Sequence, residues 1–110
     1  MNYQIFIIVG CFIIFDIITG FIKALYKNKI NSTIIRQGLY HKLTELLAMI
    51  FSAGVEYSAN YINIGVQLPV LIVVSAYIII MEIISIIENL CEVNPTLAKL
   101  FKPYLDKLKK

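Results

Sequence analysis

A chain of 110 residues has room for one domain or for a few membrane spans. Only 15% of it is charged and 59% is hydrophobic, against roughly 25% charged in a typical soluble domain. A soluble domain of this size buries only about two-thirds of its unfolded surface, so the excess requires lipid or a large oligomer, lipid being the nearer solvent. The formal net charge of +3 falls in two clusters, Lys23, Lys27, Lys29, Arg36 and Lys42, then Lys99, Lys102, Lys107, Lys109 and Lys110. Both flank apolar segments, which points to anionic lipid headgroups and away from nucleic acid.

The N-terminal "MNYQ" has no basic region and no small-residue cleavage site follows the first apolar run, so that run is expected to stay in the mature protein. That run predicts a first span over residues 5–25, long enough to cross about 30 Å of hydrocarbon. Residues 5–15 are "IFIIVGCFIIF", and an aspartate, Asp16, follows them directly. Residues 43–62, "LTELLAMIFSAGVEYSANYI", carry Glu45 and Glu56, and hydropathy alone leaves them a marginal span or an interfacial helix. Residues 68–90 form the third candidate, with Pro69 in its first turn, where a missing N–H matters little. Ile and Val favour strands in water, but lipid demands internally hydrogen-bonded backbone and hence helix.

Charge bias decides the middle segment. Positive residues favour the cytoplasmic side, and the first loop and the C-terminal tail are both basic. They share a side only if an even number of spans separates them, so residues 43–62 are expected to cross. The connection at 63–67 lacks Lys and Arg, as an external turn should. Residues 94–110 open with Asn94 and Pro95, a helix cap and first turn. Their apolar residues recur at three and four, which describes a short basic helix on the inner leaflet, interrupted or restarted at Pro103. The expectation is an all-α integral membrane protein, a single domain over 1–110. It has three transmembrane helices plus a short basic amphipathic C-terminal helix, N-terminus outside and C-terminus cytoplasmic.

On a wheel of 100° per residue each span carries one polar stripe. Asp16, Thr19, Gly20, Lys23 and Lys27 form the first. The second holds Gly38, His41, Lys42, Glu45, Met49, Ser52, Glu56, Asn60 and Asn63; the third holds Ser75, Glu82, Ser85, Asn89 and Glu92, with Glu88 off the stripe. A charge at the bilayer centre costs on the order of 2.5–3.5 kcal/mol, so Asp16 and Glu82 are expected to be protonated, paired or wet. The stripes serve either as glue within one bundle or, since three polar faces exceed what one bundle needs, for self-association or a water-filled lesion. Gly20 is expected to let another helix approach closely. His41 reads as interfacial and Met49 as packing. Cys11 and Cys91 form no CxxC motif and read as packing residues. With one histidine and no nucleophile, metal or phosphate-binding motif, no catalytic, cofactor or metal site is expected, and the chain is read as no enzyme.

The ordered motifs "D-x-x-T-G-x-x-K-A" at 16–24, Asn31 with Ser32, "G-x-x-x-K" at 38–42 and "E-x-x-S-I-x-E-N" at 82–89, followed by Pro95, resemble those of phage holins. The type is the toxin secretion/phage lysis holins of clostridial and other Gram-positive phages. "CEVNP" lacks the usual glycine before the proline, and the chain is short for the toxin-associated members. The resemblance implies a multi-pass protein of the host cytoplasmic membrane. It would accumulate harmlessly, then form homo-oligomeric lesions for pore formation and host cell lysis. A released endolysin, or a toxin in toxin secretion, need not touch it. Asp16, Thr19, Gly20, Lys23, Gly38, Lys42, Glu45, Ser52, Glu56, Glu82, Ser85, Glu88 and Asn89 are then candidates for assembly or pore lining. After Met1 the next methionine is Met49, so any antiholin is expected to be a separate protein. The rival readings are a small ion- or proton-conducting membrane protein built on Glu82 and an anchor subunit of a larger complex.

Overall fold

The computed structural model describes residues 3–63, 65 and 69–109. They form four helices: α1 (Tyr3–Tyr26), α2 (Ser32–Ala59), α3 (Val70–Val93) and α4 (Pro95–Leu108). Local chemistry sets most of the ends. At the end of α1, Asn28 takes φ 54°. The Asn28 and Lys29 amides then donate to the Leu25 and Ala24 carbonyls at 3.1 and 2.9 Å. This is a Schellman closure, with asparagine tolerating the left-handed position that usually selects glycine. Three residues later the Asn31 side chain accepts from the Thr33 amide at 2.9 Å and starts α2. Asn94 does the same for α4 through the Thr96 amide at 3.1 Å, with Pro95 next.

Two boundaries differ from expectation. Helix α2 begins at Ser32, so Arg36 and Lys42 belong to its first turns instead of to a loop. Asn31 caps early enough to recruit the basic stretch, which hydropathy had separated from the apolar one. Helix α4 runs through Pro103 without interruption. Pro103 is exposed, as is Lys99, whose carbonyl loses its helical donor, so solvent or headgroups take up that acceptor. The expected turn at 63–67 lies largely outside the described residues. Within it, Gly65 has φ +76° and donates to the Asn63 side chain at 3.1 Å.

Helix α3 is the centre of the assembly: α1, α2 and α4 all pack on it, and α1 and α2 approach each other less closely. Contacts from Asp16 to Ser85 and from Lys27 to Glu92 show that α1 runs parallel to α3. Contacts from Lys42 to Glu82 and from Glu56 to Leu71 show that α2 runs antiparallel to it. Away from the basic end, Val9, Ile13, Met49, Ala53, Leu71 and Ile78 form an apolar core. The outside is apolar too. Ile14, Phe15 and Ile18 on α1, and Ile72, Val73 and Tyr77 on α3, stay exposed.

Helices α1 and α3 are long and apolar enough to cross a membrane, and only 22% and 33% of their most apolar windows are buried. A soluble core helix hides that surface, whereas these present it outward. Cys11 also faces outward and Cys91 is half-buried; both are free.

A buried polar cluster between three helices

Helical periodicity brings Asp16 and Thr19 to the α3 side of α1, and Glu82, Ser85 and Asn89 to the α1 side of α3. Lys42 enters from α2. Its Nζ donates to Asp16 Oδ2 at 2.6 Å and to the Glu82 oxygens at 3.2 and 3.1 Å. Asp16 Oδ1 accepts from Ser85 Oγ at 2.8 Å and Asn89 Nδ2 at 3.0 Å. Asn89 also donates to Thr19 Oγ1 at 3.1 Å, and Thr19 donates to the Asp16 carbonyl at 3.0 Å. Asp16 is 6% exposed and Glu82 3%. Both carboxylates are therefore tied to an ammonium and removed from the surface. An ion pair so buried is tolerated only when hydrogen bonds saturate it, which Ser85 and Asn89 do for Asp16.

Glu45 is buried beside Glu82, and its Oε1 has no hydrogen-bond partner among the described residues. One ammonium thus pairs with two acidic side chains, and a third acid, Glu45, lies beside one of them. Ser52 is buried on the same face of α2 and returns its hydroxyl to the Ala48 carbonyl at 2.7 Å. Ser75, buried on α3, leaves its hydroxyl without a partner among the described residues.

The remaining candidates lie elsewhere. Lys23 stands 3.8 Å and Lys27 2.9 Å from Glu92, in a second ion cluster at the basic end. Glu88 lies on the outer side and meets Lys109, the cap residue after α4, at 3.5 Å. Gly38 and His41 are exposed. A Cβ on Gly20 would make ordinary contact, 3.6 Å from Asn89 Nδ2, so α3 does not require glycine there. Glu56 sits at the opposite end, where its Oε1 accepts from the Leu71 amide at 3.2 Å. Pro69, the residue before α3, supplies no side-chain cap, and Glu56 fills that place from another helix. The sequence carried half of this signal, a helix start with no Ser, Thr, Asp or Asn to cap it.

One bundle interior therefore absorbs most of the polar stripes, which is more than the sequence led us to expect of a single chain. Four helices, apolar outside and polar at one level inside, define a small helical bundle suited to lipid. The chain belongs to the bacteriophage holin family, whose model matches residues 2–110. Membership assigns it a holin role in phage lysis, in association with the cytoplasmic membrane. No curated protein and no solved structure matches it.

Proposed function

We propose that the chain accumulates in the host cytoplasmic membrane as a three-span unit and then reassembles as a homo-oligomer into lesions that release an endolysin. The unit is a single domain over 1–110 with spans at 5–25 and 68–90 and, between them, a span of α2 that starts before residue 43. Lys42 meets Asp16 in the middle of the first span, and a start at 43 would leave it at the membrane edge. Its N-terminus lies outside and its basic tail is cytoplasmic, as charge bias requires. The observation that carries the reading is the burial of Asp16, Lys42, Glu82 and Asn89 between helices whose outer faces are apolar. A polar layer held mostly inside a lipid-facing bundle suits an inert, accumulated form. The same layer turned toward water would make the wall of a lesion.

The antiparallel path of α2 along α3 supports its crossing. Between the Lys42–Glu82 contact and the Glu56–Leu71 contact, α2 advances about 21 Å at 1.5 Å per residue. A helix lying flat at the interface would cross α3 steeply and touch it at one level only. The endolysin needs no direct contact with the chain, a toxin is the alternative cargo, and an antiholin would be a separate protein. No catalytic, cofactor or metal role is assigned.

Induced expression in bacteria tests the proposal. The expected result is a delay, then abrupt loss of viability with passage of a co-expressed endolysin. Steady growth with a proton leak would favour an ion conductor, a reading that the acid surplus around Lys42 also suits; unimpaired growth would favour an anchor. Asp16→Asn, which removes the charge at constant shape, should shift the time of lysis and the ladder of crosslinked oligomers. Unchanged timing and ladders would sink the role given to the first span.

A further inference from the structure

Because α1 and α2 both lean on α3 and stand apart from each other, a cleft of about 540 Å³ opens between the second half of α1 and the first half of α2. That volume lies within the range of small-ligand sites, about 300–1,000 Å³. Its walls are graded along the helix axes. Its inner end reaches the polar cluster at Asp16, Lys42, Ser85 and Asn89. Between that cluster and the basic end Phe21, Ile34, Ile35 and Leu39 give hydrocarbon, and Gly38 leaves the α2 wall low. Lys23, Lys27 and Lys29 stand at the basic end. Lys23 and Lys27 share one carboxylate, Glu92. Lys29 has no ion pair among the described residues.

We infer that this cleft is a binding site for one anionic glycerophospholipid, its phosphate held by Lys27 and Lys29 and one acyl chain lying against Phe21, Ile35 and Leu39. The inference rests on the basic end facing the cytoplasmic leaflet, and on no feature of lysis timing. A ligand for the site needs a negative head joined to a hydrocarbon tail at membrane depth, and an anionic lipid has both. A second copy of the chain offers no such match. Of its seven acidic residues, Asp16, Glu45 and Glu82 are buried and Glu56 caps α3. Glu88 and Glu92 already face lysines, and Asp106 sits among Lys102, Lys107 and Lys109.

The test is native mass spectrometry of the full chain, taken from nanodiscs of equal phosphatidylglycerol and phosphatidylcholine and stripped stepwise with detergent. The expected result is one retained phosphatidylglycerol per chain. Lys27→Gln with Lys29→Gln should lower that retention roughly tenfold to thirtyfold, since two of the three cations at the basic end are lost. Gly38→Leu keeps every charge and meets open space, with nothing within 4 Å of an added Cβ; by filling the apolar wall it should abolish retention. Lys107→Gln with Lys109→Gln, at the end of α4, should leave it unchanged. Equal retention of the two lipids, indifference to Gly38→Leu, or an equal loss from the α4 variant would each overturn the site. Retention by a chain that never lyses cells would sink the lysis reading and leave the lipid site standing.

Discussion

Lys42 holds the bundle at its polar level, because it is the base through which α1, α2 and α3 meet at one atom. Removing one partner from a buried ion pair leaves the others charged and without compensation, a loss of about 3–5 kcal/mol. Lys42→Met keeps the apolar stem and removes the ammonium. We expect it to lower stability by about 3 kcal/mol in mixed-micelle unfolding, with a coupling of about 1–3 kcal/mol to Asp16→Asn. The coupling should appear because the double variant no longer leaves Asp16 charged and unpaired. A loss under about 1 kcal/mol with no coupling would mean that water reaches these groups and screens them. Lys23 and Lys27, at the exposed end of the same stripe, share Glu92 at more than a third exposure, and their loss should matter far less to stability.

At the scale of elements, the junctions between helices divide into those closed locally and one closed from a distance. Glu56 reaches from α2 to the first turn of α3, where a carboxylate both satisfies a free amide and meets the positive end of the helix. Glu56→Ala should weaken that turn by about 1 kcal/mol. Amide exchange at residues 70–73 should then run about fivefold faster, with α1 unchanged; uniform acceleration across the bundle would contradict a local cap. Asn94 was legible as a cap because its partner lies two residues away; Asn31 has an equally near partner but reads in the sequence only as part of a motif. The partner of Leu71 was not legible, since Glu56 is far off in the chain and only the uncapped Pro69 hinted at a need. The stripes of α1 and α3 were legible for the same local reason, a repeat of three and four on one helix. Which stripe residues meet was not: Lys42 reaching Asp16 and Glu82, while Gly38 turns to an open cleft, depends on how the helices lean. The tail shows the same limit. Leu97, Phe101, Leu105 and Leu108 are half-buried, Leu100 and Tyr104 stay exposed, and Lys109 reaches Glu88, so only part of the apolar face is left for a lipid surface.

For the molecule as a whole, the polar layer and the apolar exterior are compatible with lipid only while α1 stays seated on α3. Turning Asp16 outward as a monomer would place a carboxylate in hydrocarbon, at a cost on the order of 2.5–3.5 kcal/mol, in addition to the lost bonds from Ser85 and Asn89. Several copies opening together escape that penalty, because their seams then face one another or shared water. Lysis should accordingly require separation of α1 from α3, and a tether between them should prevent it. Gly20 and Asn89 face each other across that seam. A Cβ at Gly20 would stand 3.6 Å from Asn89 Nδ2, with no other Asn89 atom within 4 Å, so a short thiol crosslinker fits better than a direct disulfide. In a chain with Cys11 and Cys91 changed to serine, Gly20→Cys with Asn89→Cys should be bridged by a short bis-methanethiosulfonate. The bridged chain should accumulate without lysis, and dithiothreitol should restore lysis within minutes, while each single cysteine variant lyses with or without the reagent. Normal lysis by the fully crosslinked chain would show that the lesion is built from intact bundles, with the Asp16 layer never exposed.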